Sequence, residues 1–357
     1  MATHDSIINA PETKSLLLIQ IPHRFGLNDG IIVPQIHFPP GTSPSIVRNP
    51  AQPRAPLRGT IRCIVVIVDF PDKPIHPRAA QRFTELLFSG KPGSAAHYYT
   101  EVSRGLVNFV GEVFGTFRMS HTKAEYANNQ VGLGTAPALN LQTLAADAYT
   151  AVEPFLEDTA QYDCDSNGYI DAFMIVHAGQ GAEVTSDSTD LWSAKWVMPE
   201  AIGNGKSKLY AFLTLPEDAK LGMVCHEIGH LVFGWPDLHV PIVDSEPTAE
   251  KQNAGLGDWC LMASGAWIGS GDTPSHPSAW CKKQQGWVEV VNETCDRSIA
   301  ITDVKADGKV HRLWRNGNET SSEYFLVENR ENTGYDAALP GHGLLSESFL
   351  VFEMRRD

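Results

Sequence analysis

Met223-Val-Cys-His-Glu-Ile-Gly-His-Leu-Val-Phe-Gly-Trp-Pro-Asp237 is the stretch around which the rest of the chain is organised. It holds His226, Glu227 and His230 in the order H-E-x-x-H. Residues four apart share one face of an α-helix, so His226 and His230 can grip a single metal ion together. Imidazole nitrogens suit Zn²⁺, and a catalytic zinc keeps one position open for water. Glu227 follows the first histidine directly and can reach that water. Once the metal has made the water acidic, a carboxylate there can take its proton.

The flanking residues supply the context such a motif needs. Pro216-Glu-Asp218 reads as a helix start, with acidic residues near the N-terminus. Leu221, Val224, Cys225, Ile228, Leu231 and Val232 recur at helical spacing and give an apolar face. Gly234 stands where a helix ends in the left-handed conformation, and Pro236 follows it. The chain is expected to fold back there and bring Asp237 towards the metal. His239, Asp244 and Glu246 follow closely and are further candidates for a third ligand. In this setting H-E-x-x-H is the signature of a zincin metalloprotease rather than a chance run. Zinc itself, with help from His239, Tyr210 or His276, is the candidate stabiliser of a tetrahedral oxyanion.

Composition bounds the remaining possibilities. The 357 residues suffice for one large domain or two smaller ones. With 20% charged and 42% hydrophobic residues the chain is globular in character. A formal net charge of -14 and no basic cluster argue against nucleic acid as a partner. No apolar run approaches the length of a membrane span. Met1–Ser6 shows no basic region ahead of an apolar one, so no signal peptide is read at the start. Six cysteines are scattered without C-x-x-C spacing, and Asn292-Glu-Thr294 and Asn318-Glu-Thr320 are glycosylation sequons.

Residues 1–58 are rich in proline and poor in periodicity, which predicts an extended lead segment. Order is expected from Arg58, with the β-branched run Ile64–Val68 as a buried strand. Helices are predicted near 77–89, over 94–103, over 138–155 and over 277–286. Leu106–Phe117 alternates as a strand pair or hairpin arm. Strands are expected at 170–177, 210–215, 287–291 and from 323. The strand just before the metal helix, Tyr210–Leu215, is read as an edge that could take an extended peptide by β-addition.

Tyr162-Asp-Cys-Asp-Ser-Asn-Gly-Tyr-Ile-Asp171 places Asp163, Asp165 and Asn167 at alternating positions, then Gly168, then Asp171. This is the front of an EF-hand-type loop and a candidate Ca²⁺ site. The glutamate expected at the twelfth position is replaced by Met174. Downstream, Gly255–Gly265 is glycine-rich and puts Met262 in a tight turn.

Taken together, ten segments resemble the M6 family of metallopeptidases, the immune-inhibitor-A-like proteases. They are Arg62–Asp72, Tyr98–Ser103, Asp163–Asp171, His177–Gly179, Trp192–Trp196, Cys225–Leu238, Trp259–Met262, Ala279–Trp287, Tyr324–Arg330 and Leu339–Gly341. The resemblance implies an α+β, metzincin-like catalytic domain over 59–345: a mixed sheet, an active-site helix and a turn holding Met262 under the metal. It implies a zinc endopeptidase acting on protein or peptide substrates, with the third-ligand role carried onto Asp237. It also implies secretion. Ala194 stands where a histidine is expected between the tryptophans. After Leu345 the family pattern gives way to Ser346–Asp357, so the final apolar strand is expected to be missing. The rival class is a catalytically silent binding or adhesion module on the same fold.

Overall fold

The computed structural model describes residues 57–135, 137–238, 255–314, 317–318 and 323–350. The lead segment expected over 1–58 therefore lies almost wholly outside the described residues, as do the candidate ligands His239, Asp244 and Glu246. In chain order the first elements are β1 (Gly59–Asp69), α1 (Ala79–Phe88), α2 (Ala95–Val102), β2 (Val107–Arg118), α3 (Lys123–Ala127) and α4 (Leu141–Val152). There follow β3 (Ala172–His177), α5 (Ala182–Thr185), β4 (Ala194–Ile202), β5 (Leu209–Pro216) and α6 (Leu221–Phe233). The last are α7 (Ala279–Gln284), β6 (Glu289–Glu293), α8 (Val304–Asp307), β7 (Lys309–Trp314), β8 (Glu323–Arg330) and β9 (Gly343–Leu350).

β1 is buried without a break from Cys63 to Asp69, and β3 and β5 are buried along their whole lengths. Strands apolar on both faces must be covered on both. α4 lies against β1, β2, β4 and β5, while α6 lies against β3, β4 and β5. The sheet order is β2-β1-β3-β5-β4, parallel except for β4. The larger core of the molecule lies around this sheet. A smaller cluster of Ala279, Val304, Val310, Tyr324 and Leu326 serves a second sheet, β6-β7-β8-β9.

Several expectations are corrected here. Leu106–Phe117 is no hairpin: it contributes the single strand β2, parallel to β1. A parallel partner needs a long crossover, and α1 and α2 supply it. β5 is not an edge, because β4 pairs outside it, with Ala194 opposite Thr214. Helix α6 starts at Leu221 rather than at Pro216, which closes β5. The acids between them are engaged elsewhere: the Glu217 carboxylate accepts the backbone N–H of His76 and of Gly179, each at 2.7 Å. Arg82 fixes the same turn by donating to the carbonyls of Glu217 and Ala219. β9 pairs along β8 from Gly343 to Leu350 and so takes in the first five residues after Leu345, while residues 351–357 lie outside the described residues.

The architecture is α+β with mixed sheets, as expected. All six cysteines are free thiols. Among the described residues no helix is long and apolar enough to cross a membrane.

Candidate metal centre

All 13 residues of α6 are buried, polar ones included. A helix buried on every side is a core element, so its polar side chains face protein rather than water. His226 and His230 pack edge to face with ring centroids 4.6 Å apart. Their Nε2 atoms lie 3.0 Å from each other, and Asp237 Oδ1 lies 3.2 Å from each.

The opposite ring nitrogens decide what those atoms are. His226 Nδ1 is 2.9 Å from the Leu261 carbonyl, and His230 Nδ1 is 2.6 Å from the Trp235 carbonyl. A carbonyl can only accept, so each neutral ring carries its proton on Nδ1 and a lone pair on Nε2. Burial lowers the pKa of His230, against the pull of Asp237, and favours that neutral form. Two imidazole lone pairs and a carboxylate oxygen thus converge on one point. This donor set could hold a metal ion, with both rings oriented by outer hydrogen bonds.

Glu227 completes the fit. It is fully buried, and neither carboxylate oxygen has a hydrogen-bond partner. Burial first, then Asp237 and Glu183, push its carboxyl well above the usual carboxylate range. A buried acid with no partner is costly in an inert core and makes sense beside a cation or a proton to be moved.

The local sequence explains how these groups meet. Gly234 adopts the left-handed conformation at φ 66°, which ends α6 and turns the chain back. The Trp235 N–H then donates to the Gly229 carbonyl at 3.1 Å, and the Trp235 carbonyl faces His230. The Trp235 ring stacks on Phe233 and meets Trp287 edge on, which anchors the turn. Two residues further on stands Asp237. The Leu238 N–H donates to the Met262 carbonyl at 2.7 Å. Met262, fully buried, passes so close under α6 that a Cβ on Gly229 would lie 2.7 Å from its sulfur.

Elsewhere, Asp163, Asp165 and Asp171 also bring carboxylate oxygens within 4.8 Å of one another. That loop is laced by its own hydrogen bonds. Asp163 accepts from the N–H groups of Asn167 and Gly168 and from the Ser207 hydroxyl, each at 2.9 Å. Asp171 accepts the Cys164 N–H at 2.6 Å, and the Asn167 side-chain oxygen accepts the Tyr169 N–H. Of the proposed oxyanion helpers, His276 is committed to Glu101 at 2.9 Å, and Tyr210 packs its ring against Tyr169. One buried acid whose charge acts on Glu227 escaped sequence reading. Glu183, on the short helix α5, is buried and accepts the Ser193 hydroxyl at 2.6 Å. Burial raises its pKa to about 7. An acid among small residues after a glycine turn carries no sequence signal of such burial.

A mixed sheet backed by a buried H-E-x-x-H helix, with an aspartate folded onto both histidines, defines the metal-dependent peptidase class. The chain belongs to the immune inhibitor A peptidase M6 family, whose catalytic domain matches residues 58–290. Immune inhibitor A of Bacillus thuringiensis subsp. alesti is 28% identical over 209 residues, covering 50% of this chain and 29% of that protein. The chain thus spans under a third of that relative's length. Metalloproteinase-II from Bacteroides fragilis aligns over 76% of this chain and 60% of its own, at 12% identity and a TM-score of 0.32, too low to show a shared fold.

Proposed function

We propose that the chain is a zinc-dependent endopeptidase acting on protein or peptide substrates. The observation that carries this is the convergence of the His226, His230 and Asp237 lone pairs beside the orphaned Glu227 carboxylate. Zinc, when bound, would polarise the scissile carbonyl and bring the pKa of water to about 7. His226, His230 and Asp237 would hold the metal, and their backbone-fixed orientation limits reorganisation on binding. Glu227 would take a proton from the attacking water and hand it to the departing amine. An extended substrate would add along β4, the outer strand next to α6. Its Pro199 and its irregular pairing between Val197 and Ile202 fit an edge position.

We assign the catalytic domain to residues 59–345, and take secretion from the family resemblance alone. The test is hydrolysis of an unstructured protein such as casein, with and without a zinc chelator. Cleavage abolished by the chelator and restored by zinc supports the proposal. Zinc-loaded protein that cleaves nothing would favour the silent binding module instead.

A further inference from the structure

Arg330 lies forty residues beyond the end of the family match, at the last position of β8, and is completely buried. Its guanidinium is used on three sides. Nε donates to Asp336 Oδ2 at 3.0 Å, and a terminal nitrogen donates to Asp336 Oδ1. The other terminal nitrogen donates to the Trp259 carbonyl at 2.6 Å. The His276 carbonyl lies 3.5 Å from the nitrogen that meets Oδ1. Asp336, also fully buried, accepts the His276 N–H at 3.0 Å. One planar fork therefore pins both ends of the 259–276 loop to the second sheet.

That loop touches His226 and the residue after Asp237, while His230 is oriented by the Trp235 carbonyl. The Leu261 N–H donates to the same His276 carbonyl at 3.2 Å. The Leu261 carbonyl receives His226 Nδ1, and the Met262 carbonyl receives the N–H of Leu238, the residue after Asp237. Hydrogen bonds and short stretches of backbone thus connect Arg330 to His226 and to the residue after Asp237.

We propose that Arg330 and Asp336 are positioning residues for the metal centre. They fix the Trp259–Met262 turn from the second sheet, and through it the orientation of His226 and the seat of Asp237. The inference rests on the reading of His226, His230 and Asp237 as the metal ligands. It implies that the second sheet is part of the working site and not an appendage to it.

The experiment uses the full chain and reads the metal, not only activity. Zinc affinity by chelator competition and the visible spectrum of the Co²⁺-loaded protein are measured for wild type, Arg330→Lys, Asp336→Asn and Leu326→Ala. Leu326 is buried on the same strand within the smaller core, so its truncation reports general destabilisation of the second sheet. Outer partners of metal ligands typically contribute ten- to a hundredfold in affinity. We expect Arg330→Lys and Asp336→Asn to lose about that much and to alter the cobalt spectrum. Lysine keeps the charge but cannot bridge two carbonyls and a carboxylate. Leu326→Ala should lower the melting temperature and leave affinity and spectrum as in wild type. Wild-type affinity and spectrum in either folded Arg330 or Asp336 variant overturn the proposal. So does equal loss in Leu326→Ala, or a failure of both variants to fold while Leu326→Ala folds. If wild type itself binds no zinc, it is the metal-site reading that fails.

Discussion

Among the described residues, two clusters bring three acid or histidine side chains within reach of a common ion, and they are built in opposite ways. In the acidic loop, carboxylate oxygens of Asp163 and Asp171 already receive backbone N–H groups. At α6, the atoms that face one another all carry lone pairs, and their outer nitrogens are already spent on carbonyls. The first arrangement is held together by its own backbone donors. The second is oriented from outside, by carbonyls that accept from the far nitrogen of each ring. Convergence of acidic groups is therefore weak evidence for a metal, and convergence of imidazole rings oriented by outer hydrogen bonds is stronger evidence.

The largest effect expected from this contrast is at His226. His226→Ala removes one of two imidazoles, and metal content and peptide hydrolysis should both disappear. Retained stoichiometric zinc in that variant would break the contrast at once. Glu227→Gln comes next, because it separates chemistry from binding. The orphaned carboxylate holds no ligand in place, so zinc should remain at wild-type stoichiometry. Hydrolysis should fall by about 10² to 10⁴, the usual worth of general acid–base help. Full activity in the Gln variant would show that another group moves the proton. Asp237→Ala leaves two histidines and should weaken zinc binding beyond the ten- to a hundredfold typical of outer-shell changes. Unchanged zinc content after dialysis would move the third-ligand role to His239, Asp244 or Glu246.

Glu183 sharpens the contrast from the side of protons. It is buried but partnered by Ser193, and burial raises its pKa to about 7 from 4.5. A carboxyl whose folded pKa is raised adds stability below its unfolded value, and that stability is lost as pH rises through about 7. Denaturation at pH 5 and pH 8 should show this loss in wild type, at most about 3 kcal/mol, and a flatter profile in Glu183→Gln. Equal slopes in the two proteins would remove Glu183 from the pH dependence. The smallest effect belongs to the acidic loop. Binding to the native state alone raises stability by mass action. Millimolar Ca²⁺ should shift the melting temperature less than stoichiometric Zn²⁺ does, and a larger calcium shift would reverse the ranking of the two clusters.

The metal helix was the most legible part of the chain. Its H-E-x-x-H spacing, apolar periodicity and Gly234 stop are local patterns, and local patterns survive in sequence. Its start was misread because Glu217 and Asp218 look like helix-opening acids. Glu217 instead ties the loops after β1 and β3, a contact between residues more than 140 positions apart in one case. β4 was missed because Trp192 and Trp196 read equally well as core or cleft wall, and only pairing with β5 makes them part of an edge strand and its approach. The same limit hid the Arg330–Asp336 pair. Nothing in Glu-Asn-Arg330 announces that its guanidinium reaches the carbonyl of Trp259, 71 residues away. Pattern reveals which residues can bind a metal, and long-range hydrogen bonds decide how they are held.

The central claim is that two imidazoles of α6 and one aspartate, and no thiolate, form the zinc site. Buried Cys225 and Cys260 stand close by in sequence to His226 and Met262, so the alternative is chemically real. Zinc K-edge X-ray absorption on the loaded protein tests it directly. We predict only nitrogen and oxygen neighbours at about 2.0–2.2 Å, with an imidazole signature of two rings. The scattering should lose zinc altogether, or one ring, in His230→Ala. A sulfur shell at about 2.3 Å, or an imidazole signature unchanged in that variant, would contradict it.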